Sequence, residues 1–143
     1  MGRMIFVNLP VADLQKSIDF YRAVGAEQNM QFSDETAAMM SFSPEINVML
    51  LTHDKFRHFT SRRIADRDTA EVLLALSCES RAEVDSITEK ALAAGSREPS
   101  PVEDYGWMYG RSFEDPDGHG WGPMWMDVEA ATRAMAQPQP VAG

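Results

Sequence analysis

The same order of secondary-structure elements is predicted twice along the chain, at an offset of about 70 residues. In the first half, a helix is predicted from its N-cap Asp13 to about Val24, because apolar residues recur there at steps of three and four. Strands are predicted at 4–9, 28–33, 36–42 and 46–52. The predicted order β-α-β-β-β is therefore repeated, which indicates an α+β fold.

The second half opens with a strand signal at 72–78. Ser80 and Glu83 form a capping box for a second helix, which ends at Gly95. Further strands are predicted near Arg97–Glu98, at 107–114 and at 120–126. Pro123 cannot donate a backbone hydrogen bond to a neighbouring strand, so a bulge or break is expected in the last strand.

The length of 143 residues fits one domain. We assign 1–126 to that domain, with module one at 4–52, a connecting loop at 53–70 and module two at 71–126, and we assign 127–143 to a short helix and a frayed tail.

The chain is acidic: 22 acidic residues against 13 basic ones give a formal net charge of -9. That charge argues against nucleic acid and against a membrane surface as partners, because both are anionic. Cys78 is the single cysteine and lies in a strand-like apolar run, which indicates a buried, inert thiol and favours a reducing cytoplasm. The first apolar run contains Asn8 and Pro10, so it predicts neither a secretion signal nor a membrane span.

Two motifs carry a family resemblance. The run 7–14 has the sequence VNLPVADL and is followed by Ser17 and the pair Phe20–Tyr21, and the run 113–119 has the sequence FEDPDGH. Together they resemble the vicinal oxygen chelate superfamily, which includes glyoxalase I, extradiol dioxygenases, methylmalonyl-CoA epimerase and the bleomycin and fosfomycin resistance proteins. The resemblance covers residues 4–126.

Within that superfamily, the runs MLLTH at 49–53 and YGWMYGRSF at 105–113 are similar to those of an uncharacterised glyoxalase-like branch. The resemblance implies two paired βαβββ modules whose curved mixed sheets surround a cleft, often in a homodimer. It does not imply one reaction, so whether the chain is an enzyme is left open.

In metal-using members similar to glyoxalase I, His, Glu or Gln at one position on each of four strands holds a divalent ion. Aligned on the motifs, this chain has Phe6, Leu50, Leu73 and Gly122 at those positions. None of these side chains carries the oxygen or nitrogen donor that such an ion requires. No metal or other cofactor is therefore expected, and a noncanonical metal site around Glu71, His53 or His119 is the alternative.

Side chains alternate along strands, so the superfamily's sheet orientation would turn one set of residues toward the cleft. That set is Phe6, Asn8, Leu50, Thr52, Leu73, Ala75, Ser77, Gly122 and Met124. A mostly apolar cleft predicts a site for a small, largely apolar molecule, and the alternative is that these residues fill a closed core.

An aromatic strand and a basic loop could add contacts to such a ligand. Trp107, Tyr109 and Arg111 share one strand parity and could stack on and pair with a planar anion, or Arg111 could instead pair with an acid such as Glu114 or Asp115. In the connecting loop, Arg62 and Arg63 are further candidates to select an anionic ligand.

Three functions are compatible with these observations. The first is metal-independent binding of a small molecule, as in the resistance proteins of the superfamily. The second is a glyoxalase-like lyase or dioxygenase with a noncanonical metal site. The third is a degenerate module retained for dimerisation.

Overall fold

A computed structural model describes residues 2–136, and in that range the chain forms nine strands and four α-helices. The strands are β1 Ile5–Val11, β2 Glu27–Asn29, β3 Ala37–Ser41, β4 Ile46–Thr52, β5 Leu73–Ser77, β6 Glu103–Asp104, β7 Met108–Gly110, β8 Phe113–Glu114 and β9 Gly120–Met126. The helices are α1 Leu14–Ala23, α2 His53–Phe56, α3 Arg81–Ala93 and α4 Val128–Ala136. The predicted α+β fold is confirmed.

The strands form two mixed sheets, one in each half of the chain. Sheet one has the order β1-β4-β3-β2, in which β1 and β4 are parallel and the other neighbours are antiparallel. Sheet two has the order β5-β9-β7-β6, with β5 parallel to β9, and β8 also pairs with β9. In both sheets the first strand of the module lies at an edge beside the last strand, as expected for a repeated unit.

Side-chain caps position the two long helices. The Asp13 carboxylate accepts a hydrogen bond from the Lys16 backbone N–H at 3.1 Å, and the Ser80 hydroxyl accepts one from the Glu83 N–H at 3.1 Å. Gly95 follows α3 with φ +100°, a conformation that favours glycine. Both predicted helices are therefore present with the predicted N-caps.

The two modules share one core. Phe20 and Tyr21 on α1 of module one pack against Phe113 and Trp121 of module two, with ring centroids 6.0 Å apart in the Phe20–Phe113 and Tyr21–Trp121 pairs. All four side chains are buried. Helix α1 therefore joins sheet one to the β8–β9 hairpin of sheet two.

The predicted strand near Arg97–Glu98 is wrong. The structure places the corresponding strand, β6, at Glu103–Asp104. Residues 97–98 instead lie in irregular chain before two prolines, and their side chains bind residues of sheet two: Arg97 pairs with Glu114, and Glu98 with Arg111. Proline at 99 and 101 explains why a ladder does not form there.

The break expected at Pro123 lies in the opposing strand instead. Strand β9 is continuous through Pro123, whose carbonyl accepts a hydrogen bond from the Arg111 N–H at 3.2 Å. Because proline has no N–H to return to Arg111, the antiparallel ladder is interrupted at residues 111–112, between β7 and β8. The expected break in β9 itself is therefore wrong.

Other segments differ in length from their predictions. The strand predicted at 28–33 ends at Asn29, whose side chain accepts the Gln31 N–H and opens a short 3₁₀ turn at Met30–Phe32. The loop predicted at 53–70 begins with α2, which Thr52 caps. Of the predicted C-terminal segment, the structure shows α4, while the tail at 137–143 lies outside the described residues. Within residues 2–136, no helix has both the length and the apolar character needed to cross a bilayer.

Candidate functional site

Each sheet has one face against its own module's long helix and one opposite face, which we call the distal face. In sheet two, Tyr109 and Trp125 mark the helix side, because the Arg81 guanidinium of α3 lies over both rings at 5.0 and 5.4 Å. Because side chains alternate along a strand, the residues next to Tyr109 and Trp125 in sequence have their side chains on the distal face.

The distal face of sheet two brings together most of the predicted ligand residues of module two. Ala75 pairs with Gly122 and Ser77 pairs with Met124 across β5 and β9. Leu73 lies one row further along, beside Gly120. The predicted shared orientation of Leu73, Gly122 and Met124 therefore agrees with the strand register.

A cavity of about 210 Å³ lies on this face. It is lined by residues of β5 and β9, of the loop that follows α3 and of the start of β8: Leu73, Leu74, Ala75, Pro99, Ser100, Ser112, Phe113, Gly120, Trp121 and Gly122. A Cβ atom added to Gly122 would meet only backbone oxygens, those of Arg111 at 3.7 Å and Leu74 at 3.9 Å. The missing side chain at Gly122 therefore leaves room above the sheet.

In sheet one, the predicted common face is wrong for Leu50 and Thr52. Leu50 pairs with Leu9 and is fully buried in the core beneath α1, whereas Phe6 and Asn8 pair with Asn47 and Met49 on the distal face. Thr52 pairs with Val11, on the helix side. A shift of one residue in a strand reverses every side chain, so Met49, and not Leu50, shares the distal face with Phe6.

The predicted anion contact by Arg111 is also contradicted. The side chain of Arg111 is 12% exposed and pairs with Asp85 and Glu89 of α3, at 3.1 and 2.9 Å, and with Glu98 at 2.8 Å. The hydrogen bonds that Arg111 donates to the Glu98 carboxylate are the main reason that the pKa of Arg111 is raised well above its usual value. The alternative prediction, that Arg111 pairs with acidic residues, is therefore correct in kind, but the acids are not Glu114 or Asp115.

The aromatic neighbours of Arg111 are likewise used for packing. The Tyr109 hydroxyl donates a hydrogen bond to Asp85 at 2.6 Å on the helix side. Trp107 stacks on Tyr105, with ring centroids 5.8 Å apart. The structure therefore places Tyr109 and Arg111 on the face of sheet two opposite the cavity, and Trp107 does not line the cavity.

The two family motifs meet around one buried carboxylate. Asp115, only 2% exposed, accepts hydrogen bonds from the Tyr21 hydroxyl at 2.7 Å and from the backbone N–H groups of Asp117 and His119. His119 Nδ1 lies 2.7 Å from the same carboxylate, and the Tyr21 oxygen accepts the Trp121 indole N–H at 3.0 Å. These motifs hold the two modules together, and burial is the main cause of the raised pKa of Tyr21.

The pKa of His119 is raised by this network. Burial is the largest single effect and lowers the pKa of the ring, but the hydrogen bond with Asp115 and the charges of the surrounding acids together outweigh burial. Two further acids, Asp117 and Glu71, act in the same direction. Because the folded-state pKa exceeds the unfolded value, His119 stabilises the protein fully below pH of about 6.5, and this contribution is lost as the pH rises through the folded-state pKa.

As the pH rises from about 6 to about 9, we therefore expect the free energy of unfolding to fall more in the wild type than in His119→Asn. Urea unfolding across this pH range measures the difference. Equal slopes for the two proteins would contradict the assignment of a raised pKa to His119.

A second cavity, of about 300 Å³, adjoins the first and is polar. The two share Leu73, Pro99, Ser100 and Gly120. Cations and acids line the second cavity: Asp66, Arg67, Asp68, Glu71, Arg97, Glu114, Asp117 and His119. Arg62 and Arg63, predicted to select an anionic ligand, line neither cavity, whereas Arg67 of the same basic loop does.

The sequence prediction missed Arg67 and Arg97 as cavity residues. Arg67 donates a hydrogen bond to the Pro116 carbonyl, and Arg97 pairs with Glu114 at 3.0 Å. Arg67 belongs to the one basic loop of an acidic chain, which is the signal that could have identified it. Arg97 carried no such signal.

The divalent metal that the superfamily resemblance implies does not fit these residues. Phe6, Leu73 and Gly122 occupy three of the four positions, and the fourth has Met49 on the distal face in place of the aligned Leu50. A thioether is a weak, soft donor, and the others provide none. Within residues 2–136, no three His, Cys, Asp or Glu side chains form a group that could hold a metal, including around Glu71, His53 or His119.

Solved structures of other proteins share this fold. A hypothetical protein from S. aureus is 26% identical, with a TM-score of 0.73 over 87% of this chain and 94% of that one. An enzyme of the glyoxalase/bleomycin resistance protein/dioxygenase family from Burkholderia phytofirmans is 15% identical, with a TM-score of 0.75 over 87% and 99%. The fosfomycin resistance protein FosX from Mesorhizobium loti is 14% identical, with a TM-score of 0.67 over 92% and 98%.

The last two similarities, both below 25% identity, show the fold alone. No protein with a curated functional description matches the chain. A family model described as Glyoxalase/Bleomycin resistance protein/Dioxygenase superfamily matches residues 3–122, which is most of the chain. The chain therefore belongs to the glyoxalase/bleomycin resistance protein/dioxygenase superfamily.

Proposed function

We propose that the protein binds a small, largely apolar molecule, without a metal ion, in the 210 Å³ cavity on the distal face of sheet two. The observation that carries this proposal is the cavity at Leu73 and Gly122, two positions at which the superfamily resemblance implies metal ligands in metal-using members. Here the lining is mostly apolar, and Gly122 and Ala75 form its floor. An apolar cavity with a few polar groups at its rim is typical of a small-molecule site.

The neighbouring polar cavity suits a polar end on the same ligand. Arg97 lines the polar cavity, and Ser100 and Leu73 line both. A ligand with its ring over Gly122 would therefore extend its polar group toward a region that contains guanidinium groups. A planar aromatic carboxylate such as 2-naphthoate matches that distribution and is a suitable probe.

The expected affinity is modest. Burial of about 300 Å² of apolar surface at about 25 cal/mol per Å² supplies about 7 kcal/mol before the costs of association, which corresponds to micromolar binding or weaker. A charge-assisted contact to Arg97 would add to this and would weaken with salt.

We also propose that the protein acts as a homodimer. Its edge strands expose apolar side chains: Phe6 on β1 is 46% exposed, and Leu73 on β5 is 79% exposed although it lines the cavity. A second copy covering these edges would bury them and narrow the mouth of the cavity. Light scattering should then report a mass of about twice 16.0 kDa.

Filling the cavity should abolish binding. In Gly122→Leu the Cβ atom fits at van der Waals distance, and the isobutyl group enters the cavity. We expect the affinity for 2-naphthoate, measured by calorimetry, to fall at least about tenfold. Ala82→Leu, on the exposed side of α3, adds a similar side chain outside the cavity and is the control.

Circular dichroism verifies that both variants fold. Unchanged binding in folded Gly122→Leu would place the ligand elsewhere. No binding in the wild type would favour a module retained for dimerisation.

A further inference from the structure

Three methionines lie on the distal face of sheet two, in the two rows that follow the cavity along β9, and none of them is among the residues that line it. Met108 on β7 pairs directly with Met126 on β9, and Met124 pairs with Gly110. All three side chains are partly exposed. The cavity floor of Ala75 and Gly122 lies one row from Met124 and two rows from the Met108–Met126 pair, because Met124 and Met126 follow Gly122 on β9 by two and four residues.

Two of these side chains converge over a glycine. A Cβ atom added to Gly110 would lie 3.8 Å from Met108 Sδ and 3.8 Å from Met124 Cβ. The Met108 thioether therefore folds over Gly110 toward Met124. The result is a methionine wall, formed by Met108, Met124 and Met126, beside a floor without large side chains.

The aromatic residues of β7 and β9 have the opposite strand parity from these methionines. The rings of Tyr109, Trp121 and Trp125 belong to residues of the opposite strand parity, toward α3. A thioether contacts aromatic ring edges favourably, since sulfur is polarisable, and the unbranched methionine side chain adapts to the shape of a ligand. A flat floor beside such a wall favours a planar ring.

We propose that the methionine wall makes the site selective for planar aromatic molecules over saturated molecules of the same skeleton. This inference rests on the proposed binding function and adds the chemical class of the ligand. Met108 and Met124, which meet over Gly110, are the specificity-determining residues.

The test compares 2-naphthoate with decahydro-2-naphthoate, which has the same carbon skeleton and carboxylate but no π system. Wild-type protein should bind the aromatic probe more tightly. In M108L/M124L the apolar volume is retained and the sulfur is lost, so the preference should fall about fivefold, while the affinity for the saturated probe stays within about twofold. M135L, on exposed α4, should keep the wild-type preference.

A second measurement does not depend on the variants. In protein labelled with ¹³C at the methionine methyl groups, 2-naphthoate should shift the methyl signals of Met108 and Met124 upfield through its ring current, and decahydro-2-naphthoate should not. Assignment uses M108L and M124L singly. Absence of that shift at saturating 2-naphthoate would overturn the inference.

The outcomes separate the inference from the proposed function. Binding of both probes with a preference unchanged in M108L/M124L overturns the methionine wall and leaves the binding function standing. Binding of neither probe by the wild type overturns both.

Discussion

Leu50→Arg is expected to unfold the protein. Leu50 is fully buried, between Leu9 on β1 and Ala38 on β3, and belongs to the core under α1. An arginine there would leave a charge unpaired in the interior, at a cost above about 4 kcal/mol. That is a large part of the total stability of a domain, about 5–15 kcal/mol. Circular dichroism should show loss of structure, or urea unfolding a greatly reduced midpoint.

Met49→Arg is the matched control, since Met49 is the adjacent residue on β4 and lies on the distal face, partly exposed. A long side chain there can extend its guanidinium into solvent. We expect Met49→Arg to fold. If Leu50→Arg folded and Met49→Arg did not, the assignment of the two faces of sheet one would be reversed.

Asp115→Ala should produce the second large loss of stability. The Asp115 carboxylate is the acceptor for the Tyr21 hydroxyl and for two backbone N–H groups, and it lies beside His119. Removing it leaves buried donors without partners at the junction of the modules. We expect a decrease in the free energy of unfolding of about 3–5 kcal/mol, measured by urea titration.

Asp54→Ala removes the same group from an exposed pair with Arg57, where the aspartate side chain is 95% exposed. It should cost less than about 1 kcal/mol. Similar losses in Asp115→Ala and Asp54→Ala would contradict a junction role for Asp115.

The fold was predictable because its signals are local. Asp13 and Ser80 cap their helices through their own side chains, and Ile46–Thr52 forms a strand with the predicted bounds. The repeat of element order then specified two similar sheets. These features depend on residues a few positions apart, which a sequence shows directly.

The candidate site was predictable only in part. For module two, alternation and the sheet orientation implied by the superfamily resemblance together placed Leu73, Gly122 and Met124 on one face. For sheet one, the face of Leu50 depends on its register against Leu9, and a shift of one residue in the motif alignment reversed the prediction.

The errors at Arg111 and Pro123 have a different cause. The partners of Arg111 are on α3 and in the loop after it, and no local pattern indicates which acids come near. Pro123 lacks an N–H, as its sequence indicates, but β9 stays continuous through pairing with β5, and the ladder is interrupted on the other side, at residues 111–112. The partners of Arg111 and the position of the break both depend on contacts between residues that are far apart in the sequence.

The most direct test of metal-independent binding is calorimetric titration of 2-naphthoate into untagged protein with and without EDTA, after elemental analysis of the same sample. We expect less than stoichiometric metal and the same affinity, micromolar or weaker, in both titrations. Binding that is lost in EDTA and restored by one divalent ion per chain would contradict the account.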